Sequence, residues 1–258
     1  MKIIVAIPCY NCEKQIARVL DGFNPTLMKQ IDEIIVINNR STDNTVLEAK
    51  KAIKKSKLTK ISILTNNKNY HLGGTHKVAF LYAEKKNADY LAIIHGDNQA
   101  KTRELKNLIA IAKKNPPVDA ILGSRFSKNS KLNGYSIERI YGNKILNLLF
   151  TLVSLRKTKD LGSGLNLFKI KPLKDHHYLG FGDNITFNID ILLDYYRKKS
   201  KLIFYPISWS ETDQISNAKN FQVAWLAVSK LFRWRVHREK HILKNPQDYT
   251  YSIESLLK

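Results

Sequence analysis

The sequence predicts an α/β protein built on a doubly wound, mostly parallel sheet. Two observations carry this reading. Short runs rich in β-branched residues alternate with helical patterns at about 30 residues per unit. The runs are apolar throughout rather than alternating, as expected of strands covered on both faces. The 258 residues show no internal repeat and no linker. One domain is therefore expected, with residues 1–220 as its body and 221–258 as a basic helical extension packed on it.

The elements follow in order. Residues 2–8 form a first strand, and 13–20 a helix with Ile16, Val19 and Leu20 on one side. Residues 31–37 are the second strand; Ser41, Thr42 and Asp43 then read as a helix cap before 45–52. A third strand at 60–64 leads to a helix at 77–86 that opens after Gly73 and Gly74. The fourth strand, 90–94, ends in His95-Gly-Asp-Asn-Gln99. A helix at 102–113 is stopped by Asn115-Pro-Pro117, and a strand at 119–122 runs into Gly123-Ser-Arg-Phe126. Residues 138–155 are helical, with Asn143, Asn147, Thr151 and Ser154 as one narrow polar stripe. A helix so apolar elsewhere belongs in a core or at an interface. Strands at 165–168 and 202–207, a helix at 187–198 and a helical stretch at 222–242 complete the pattern.

The 43 Lys and Arg against 22 Asp and Glu leave a formal charge of +21. On a chain with a normal apolar fraction, that excess implies an anionic partner: nucleic acid, a membrane surface or a phosphorylated small molecule. No run of about 18 apolar residues occurs, so no transmembrane helix is expected. Residues 1–11 have no apolar region of signal-peptide length. The expectation is a cytoplasmic protein, with a peripheral position at the inner face of the membrane open to it. Cys9 and Cys12 cannot build a disulfide scaffold, and no second ligand pair accompanies them, so a zinc or redox role is discounted.

Open α/β sheets bind ligands beyond the carboxyl ends of their strands. Here those ends carry Pro8-Cys-Tyr-Asn11, Asn38-Asn-Arg-Ser-Thr-Asp43, Asn69-Tyr-His-Leu-Gly-Gly74, His95-Gly-Asp-Asn-Gln99 and Gly123-Ser-Arg-Phe126. Asp97 and Gln99 offer hard oxygen ligands suited to Mg²⁺ or Mn²⁺, whose shells substrate phosphates and water complete. The alternative is a plain turn in which Asp97 caps the next helix. Gly73 and Gly74 suit a phosphate approach at a helix start, or a tight turn alone.

Ile7-Pro-Cys-Tyr-Asn11 resembles the "P-x-Y-N" opening of inverting family 2 glycosyltransferases with the GT-A fold. Asn38-Asn-Arg-Ser-Thr-Asp43 is similar to their "D-D-x-S-x-D" segment. His95-Gly-Asp-Asn-Gln99 resembles the "D-x-D-x-Q" of the dolichol-phosphate-mannose-synthase-like branch. Gly123-Ser-Arg and Asp160-Leu-Gly-Ser-Gly164 resemble that branch's "G-S-R" and "D-x-x-S-G". The segments fall in the family's order across residues 3–215. The resemblance implies a single GT-A (Rossmann-like) domain and in-line displacement, with inversion, at the anomeric carbon of a UDP- or GDP-linked sugar. It places Pro8, Tyr10, Asn11, Asn39, Ser41, Asp43, Gly74 and Asp97 around the nucleotide sugar. It assigns Asp97 and Gln99 to the Mg²⁺ or Mn²⁺ ion, and Arg125, Arg139 and Ser163 to acceptor or phosphate binding, with Arg125 also serving catalysis.

An acceptor hydroxyl would need a general base, for which Asp183 and Asp190 are the candidates with Glu211 and Asp213 behind them; an acceptor phosphate would not. Asp183 could equally cap the helix that follows it. The departures are His95 for the first metal-motif acid and Asn38 and Asn39 for the two nucleotide-segment acids. His is a poor Mg²⁺ ligand but an acceptable Mn²⁺ one, and an Asn amide can still meet a base edge. Lys230 stands where processive members have the Gln of "Q-x-x-R-W" ahead of Arg233 and Trp234.

Phe221, Trp225, Val228 and Phe232 recur at helical spacing among Lys230, Arg233, Arg235, Arg238, Lys240 and Lys244, with Glu239 as the acid. Such a helix suits either the core or an anionic membrane interface. Lys50, Lys51, Lys54, Lys55, Lys57 and Lys60 read as solvated surface. The resemblance implies, as acceptor, a polyprenyl phosphate or a glycan in cell-surface polysaccharide or glycolipid synthesis. The competing readings are a degenerate, inactive family member and a basic nucleic-acid-binding protein, the latter disfavoured because no nucleic-acid-binding motif is visible.

Overall fold

The computed structural model describes residues 1–56, 58–211, 220–236 and 247–256. Among them, eight strands form one sheet in the order β10-β3-β2-β1-β4-β7-β5-β8. These are β1 (Ile3–Cys9), β2 (Glu33–Asn38), β3 (Ile61–Asn66), β4 (Tyr90–Ile94), β5 (Ala120–Ser124), β7 (Leu165–Lys169), β8 (Leu202–Pro206) and β10 (Tyr251–Leu256). Two short strands, β6 (Lys131–Asn133) and β9 (Ser208–Ser210), pair separately. The helices are α1 (Ile16–Asp21), α2 (Pro25–Met28), α3 (Thr45–Ser56), α4 (His71–Lys85), α5 (Leu105–Lys114), α6 (Ile137–Ser154), α7 (Phe187–Arg197) and α8 (Asn220–Val236).

The β-branched runs are buried on both faces, and successive side chains fall to opposite cores. Ile3, Val5 and Ile7 pack with Ile16, Ile53, Leu105 and Leu108 on one side. Ile4 and Ala6 pack with Val78, Phe80, Phe187 and Leu231 on the other. Register sets the site. Cys9 lies opposite Asn38, and Asn38 opposite Thr65, in parallel pairs. β7 runs antiparallel between β4 and β5, with Leu165 opposite Ile94. The start of β7 and the carboxyl ends of β1, β2, β4 and β5 therefore share one edge.

Two expectations are corrected. The helix expected from residue 77 begins at His71, so Gly73 and Gly74 lie inside its first turns rather than in a turn before it. Residues 251–256 are not helical: β10 pairs antiparallel with β3 and covers an edge that would otherwise be open. The part of residues 221–258 seen here thus joins the body of the domain, through β10 and through α8, which buries Ala227 and Leu231. α6 turns its polar stripe and Phe150 inward and leaves an apolar arc outward. Asn147 and Ser154 are buried, while Ile137, Tyr141, Ile145, Leu148, Leu152 and Leu155 are 58–74% exposed.

Candidate active site

The first cavity, about 360 Å³, opens at the ends of β1, β2 and β4 and is walled by Pro8, Cys9, Tyr10, Asn39, His95 and Asp97. Tyr10 stands half-exposed at the rim, 47% accessible, where an aromatic face can stack on a base. Asn11 adopts the left-handed conformation (φ 53°), which Asn tolerates. Its Oδ1 accepts from Thr42 N at 2.9 Å, and its own N donates to Ser41 Oγ at 3.1 Å. Asp43 accepts from Glu13 N through one oxygen and from Thr45 N through the other, at 3.1 and 3.0 Å. Asn11, Ser41 and Asp43 therefore brace the loops after β1 and β2 and stand outside the cavity lining.

Asn39 lines the cavity, but its amide is saturated. Oδ1 accepts from Tyr70 N and Asn66 Nδ2, and Nδ2 donates to Asn69 Oδ1 and His71 O, all at 2.8–3.2 Å. Four bonds exhaust an amide's ordinary capacity, so Asn39 ties β2 to the start of α4 and has none left for a base edge. Gly74 also turns from ligand to packing. A Cβ there would come within 2.6 Å of Tyr70 Cβ and 3.2 Å of Asp183 Cγ. Cys9 and Cys12 are free and buried; a hydrogen bond with Cys12 and burial push the Cys9 thiol well above its ordinary pKa.

Asp97 is part-buried in the cavity wall, its Oδ1 accepting from Gln99 N at 3.1 Å. Gln99 is 9% exposed and does not line the cavity. His95 Nε2 lies 3.1 Å from His76 Nε2. Burial holds both imidazoles below their ordinary pKa, His76 well below; the His95 charge adds to this at His76, while Asp97 pulls His95 back up and Arg125 pushes it down. The sequence sets His76 beside the Gly73-Gly74 pair without assigning it to the site, because its meeting with His95 is a tertiary contact. Asn69, His71, Thr75, Asn184 and Ile185 also line the cavity; only the first two lay in a strand-end segment marked by the sequence.

A second cavity, about 500 Å³, adjoins the first at Ile185 and opens between α6 and α8. Arg125 and Arg139 stand in its wall with Tyr135, Asn188, Leu146 and Ala227. Arg125 grips Asp160 through Nε at 2.9 Å and Nη2 at 2.7 Å, and Nη2 also donates to Gly162 O at 2.7 Å. Its guanidinium lies 5.1 Å from the ring centres of both Phe126 and Trp209. Asp160 is 1% exposed, so this is a buried bidentate pair of the kind Arg makes best. Arg139 pairs with Glu211 and lies 4.2 Å from the Tyr135 ring centre. Ser163 is 3% exposed, bonds Leu165 O and lines neither cavity.

Asp183 and Asp190 are both engaged. Asp183 Oδ1 accepts from Lys77 Nζ at 2.8 Å and Tyr249 OH at 2.7 Å, and Oδ2 from Gln247 Nε2 at 2.5 Å. Lys77 is fully buried and also donates to the carbonyls of Leu179 and Phe181. Asp183 does not cap the helix that follows: α7 starts behind Thr186, whose N donates to Asn184 Oδ1 at 2.9 Å. Asp190 receives Lys230 Nζ on both oxygens at 2.7 Å; burial raises its pKa against the pull of Lys230. Asp213, Arg238, Glu239, Lys240 and Lys244, and the side chain of Phe221, lie outside the described residues.

The edge thus joins an Asp97-bearing cavity to one walled by Arg125 and Arg139, each held by a carboxylate. The profile described as "Glycosyl transferase family 2" matches residues 4–176. A dolichyl-phosphate beta-glucosyltransferase of Saccharomyces cerevisiae is 27% identical over 230 residues, 81% of this chain and 67% of the relative. Glucosyl-3-phosphoglycerate synthase from Mycobacterium tuberculosis, solved with Mn²⁺, UDP-glucose and glycerol 3-phosphate, superposes with a TM-score of 0.64 at 14% identity, covering 91% of this chain and 79% of that one. The mannosyltransferase PcManGT from Pyrobaculum calidifontis, with GDP-mannose and Mn²⁺, gives 0.63 at 15% identity over 90% and 64% of the two chains. The fold is theirs, and by the match over most of its length the chain belongs to glycosyl transferase family 2.

Proposed function

We propose that this glycosyltransferase moves a hexosyl group, with inversion, from a UDP- or GDP-linked sugar to a polyprenyl phosphate at an anionic membrane surface. One observation carries the acceptor assignment: the cavity headed by Arg125 and Arg139 opens between two helices whose outward faces are apolar. On α6 the exposed residues Ile137 to Leu155 fall within an arc of about 80° at 100° per residue. On α8, Trp225 is 68%, Phe232 49% and Val236 68% exposed. The exposed Lys144, Lys157, Arg233 and Arg235 flank these faces, and Glu138 is the acid of the two helices' described lengths. Apolar side chains ringed by cations suit the headgroup boundary of an anionic bilayer. No described helix is long and apolar enough to cross a membrane. A peripheral position at the inner, cytoplasmic face follows from this reading.

The nucleotide sugar would lie in the first cavity, with Tyr10 against the base and the diphosphate toward Asp97. A divalent ion, Mg²⁺ or Mn²⁺, fits this donor set. The described residues hold no group of three His, Cys, Asp or Glu side chains able to bind a metal, and such ions are commonly held by one carboxylate with substrate phosphates and water. Asp97 would hold it, and its charge would stabilise the departing nucleoside diphosphate. Solved relatives of this fold carry Mn²⁺ with UDP-glucose or GDP-mannose, which supports the pairing. Arg125 and Arg139 would orient the acceptor phosphate beside Ile185, where the two cavities meet. That phosphate is already anionic and needs no general base, in keeping with the engagement of Asp183 and Asp190 by lysines.

The test is transfer of radiolabelled sugar from UDP- and GDP-sugars to polyprenyl phosphate with Mg²⁺ or Mn²⁺. An organic-soluble, mild-acid-labile product is expected. Transfer to glycan hydroxyls alone overturns the acceptor, and absence of transfer and of donor hydrolysis with either ion favours an inactive member.

A further inference from the structure

Two histidines meet at the wall of the first cavity, His76 from α4 and His95 from the end of β4. Their Nε2 atoms are 3.1 Å apart and the ring planes are inclined at 53°. In the neutral pair, a contact of this length holds one proton: two would collide, and none would set two lone pairs against each other. Which ring supplies the proton decides what His95 can do.

His76 answers the question. It is 0% exposed, lies edge-on to Phe187 at 5.7 Å between ring centres, and has a buried Nδ1 with no hydrogen-bond partner. If His95 donated, neutral His76 would carry its own proton on Nδ1 and bury an N–H with no acceptor. Orphaned buried N–H groups are the rarer fault. The proton therefore sits on His76 Nε2, the His95 Nε2 lone pair receives it, and neutral His95 carries its proton on Nδ1. That nitrogen lies beside Gly164, where a Cβ would come within 3.0 Å of it. The backbone N of His95 also donates to Gly164 O at 2.9 Å, which holds the strand end in place.

We propose that His76 is a positioning residue that fixes His95 as an Nδ1–H donor to a phosphoryl oxygen of the sugar nucleotide and keeps His95 out of the metal's coordination shell. At a position where the motif has an acid, this chain offers a neutral donor, leaving Asp97 as the carboxylate for the ion. The choice of phosphate rests on the nucleotide-sugar reading; the tautomer does not.

Long-range ¹H–¹⁵N correlation spectra of the ligand-free, ¹⁵N-histidine-labelled full chain test the tautomer directly. The expected pattern is a protonated Nδ1 and bare Nε2 for His95, and the reverse for His76; a His95 protonated on Nε2 overturns the proposal. His76→Gln, whose amide can still donate, should keep the His95 pattern, whereas His76→Leu should lose it; retention in the leucine variant overturns the role of His76. At saturating UDP or GDP, Mn²⁺ affinity read by electron paramagnetic resonance should fall by less than about tenfold in His95→Ala, which binds the nucleotide itself more weakly, and should be lost in Asp97→Ala. A loss of about tenfold or more in His95→Ala places His95 in the shell and overturns the proposal. If no nucleotide binds while the spectra keep the expected pattern, the nucleotide-sugar reading and the phosphate assignment fall and the role of His76 stands.

Discussion

Lys77 and Asp183 illustrate how a site residue and a structural brace look alike in a sequence. Asp183 follows Gly182, as ligand-facing acids often follow a glycine, yet its oxygens meet a fully buried Lys77, Tyr249 and Gln247. Removing one partner leaves the other charge buried, which costs about 3 kcal/mol. Asp183→Asn should accordingly lower Tm by on the order of 10 °C, measured by thermal unfolding, with kcat falling no more than the folded fraction. A kcat collapse at unchanged Tm would restore Asp183 as the base. His76 gives a pH prediction. Burial lowers its folded pKa below the 6.5 of a free imidazole, so below that pH the unfolded chain takes up a proton that the folded protein resists. Stability is then full above about pH 6.5 and declines below it by about 1.4 kcal/mol per pH unit. Urea titrations from pH 7.5 to 5 should show this slope, reduced in His76→Leu. Asp97 and Arg125 were readable as site residues because they end apolar strands. Asn39 and Gly74 were also marked, but hydrogen-bond saturation and close packing are properties of neighbours distant in sequence.

Among the elements, α6 is the instructive one. Its composition announces an apolar helix with one polar stripe, and the ordinary inference is that the polar stripe faces water. Here Asn147 Nδ2 donates to Lys159 O and Thr151 Oγ1 to Thr158 O, at 2.9 and 3.4 Å. The stripe thus satisfies the loop after the helix, and the apolar arc is left outward. Replacing Ile145 and Leu152 by Lys should leave Tm nearly unchanged, within about 0.5 kcal/mol per site, because both side chains are exposed. The same pair should weaken co-sedimentation with anionic vesicles by at least about tenfold. Equal binding by the variant would remove α6 from the membrane contact. α4 shows the opposite failure. Two glycines suggested a turn, but the helix runs through them, since only a residue without a side chain lets Tyr70 and Asp183 approach.

Across the whole molecule, the charge of +21 and the closing of the sheet remain to be connected. The apolar-and-basic face of α6 and α8 draws on that charge over long range, so vesicle binding should fall steeply as salt shortens the Debye length from about 8 Å at physiological strength to about 3 Å at 1 M. β10 is the other global feature. It closes β3, and the residues before it place Tyr249 and Gln247 on Asp183. Deleting 247–258 should lower Tm and produce concentration-dependent self-association on size-exclusion chromatography, because β3 becomes an open edge. A monomeric deletion variant of unchanged Tm would show that this strand is dispensable.

The sequence by itself determined the alternating α/β order, the strand ends that carry ligand-binding groups, and the family resemblance. These are local properties, set by the period of apolar residues and by short segments. Tertiary structure alone decided which of those groups face a cavity, that α6 shows its apolar side outward, that the last strand returns to β3, and that a buried His76 governs His95. Each depends on a partner from about ten to nearly two hundred positions away, and one sequence holds no record of which such residues will share a hydrogen bond or exclude each other from water.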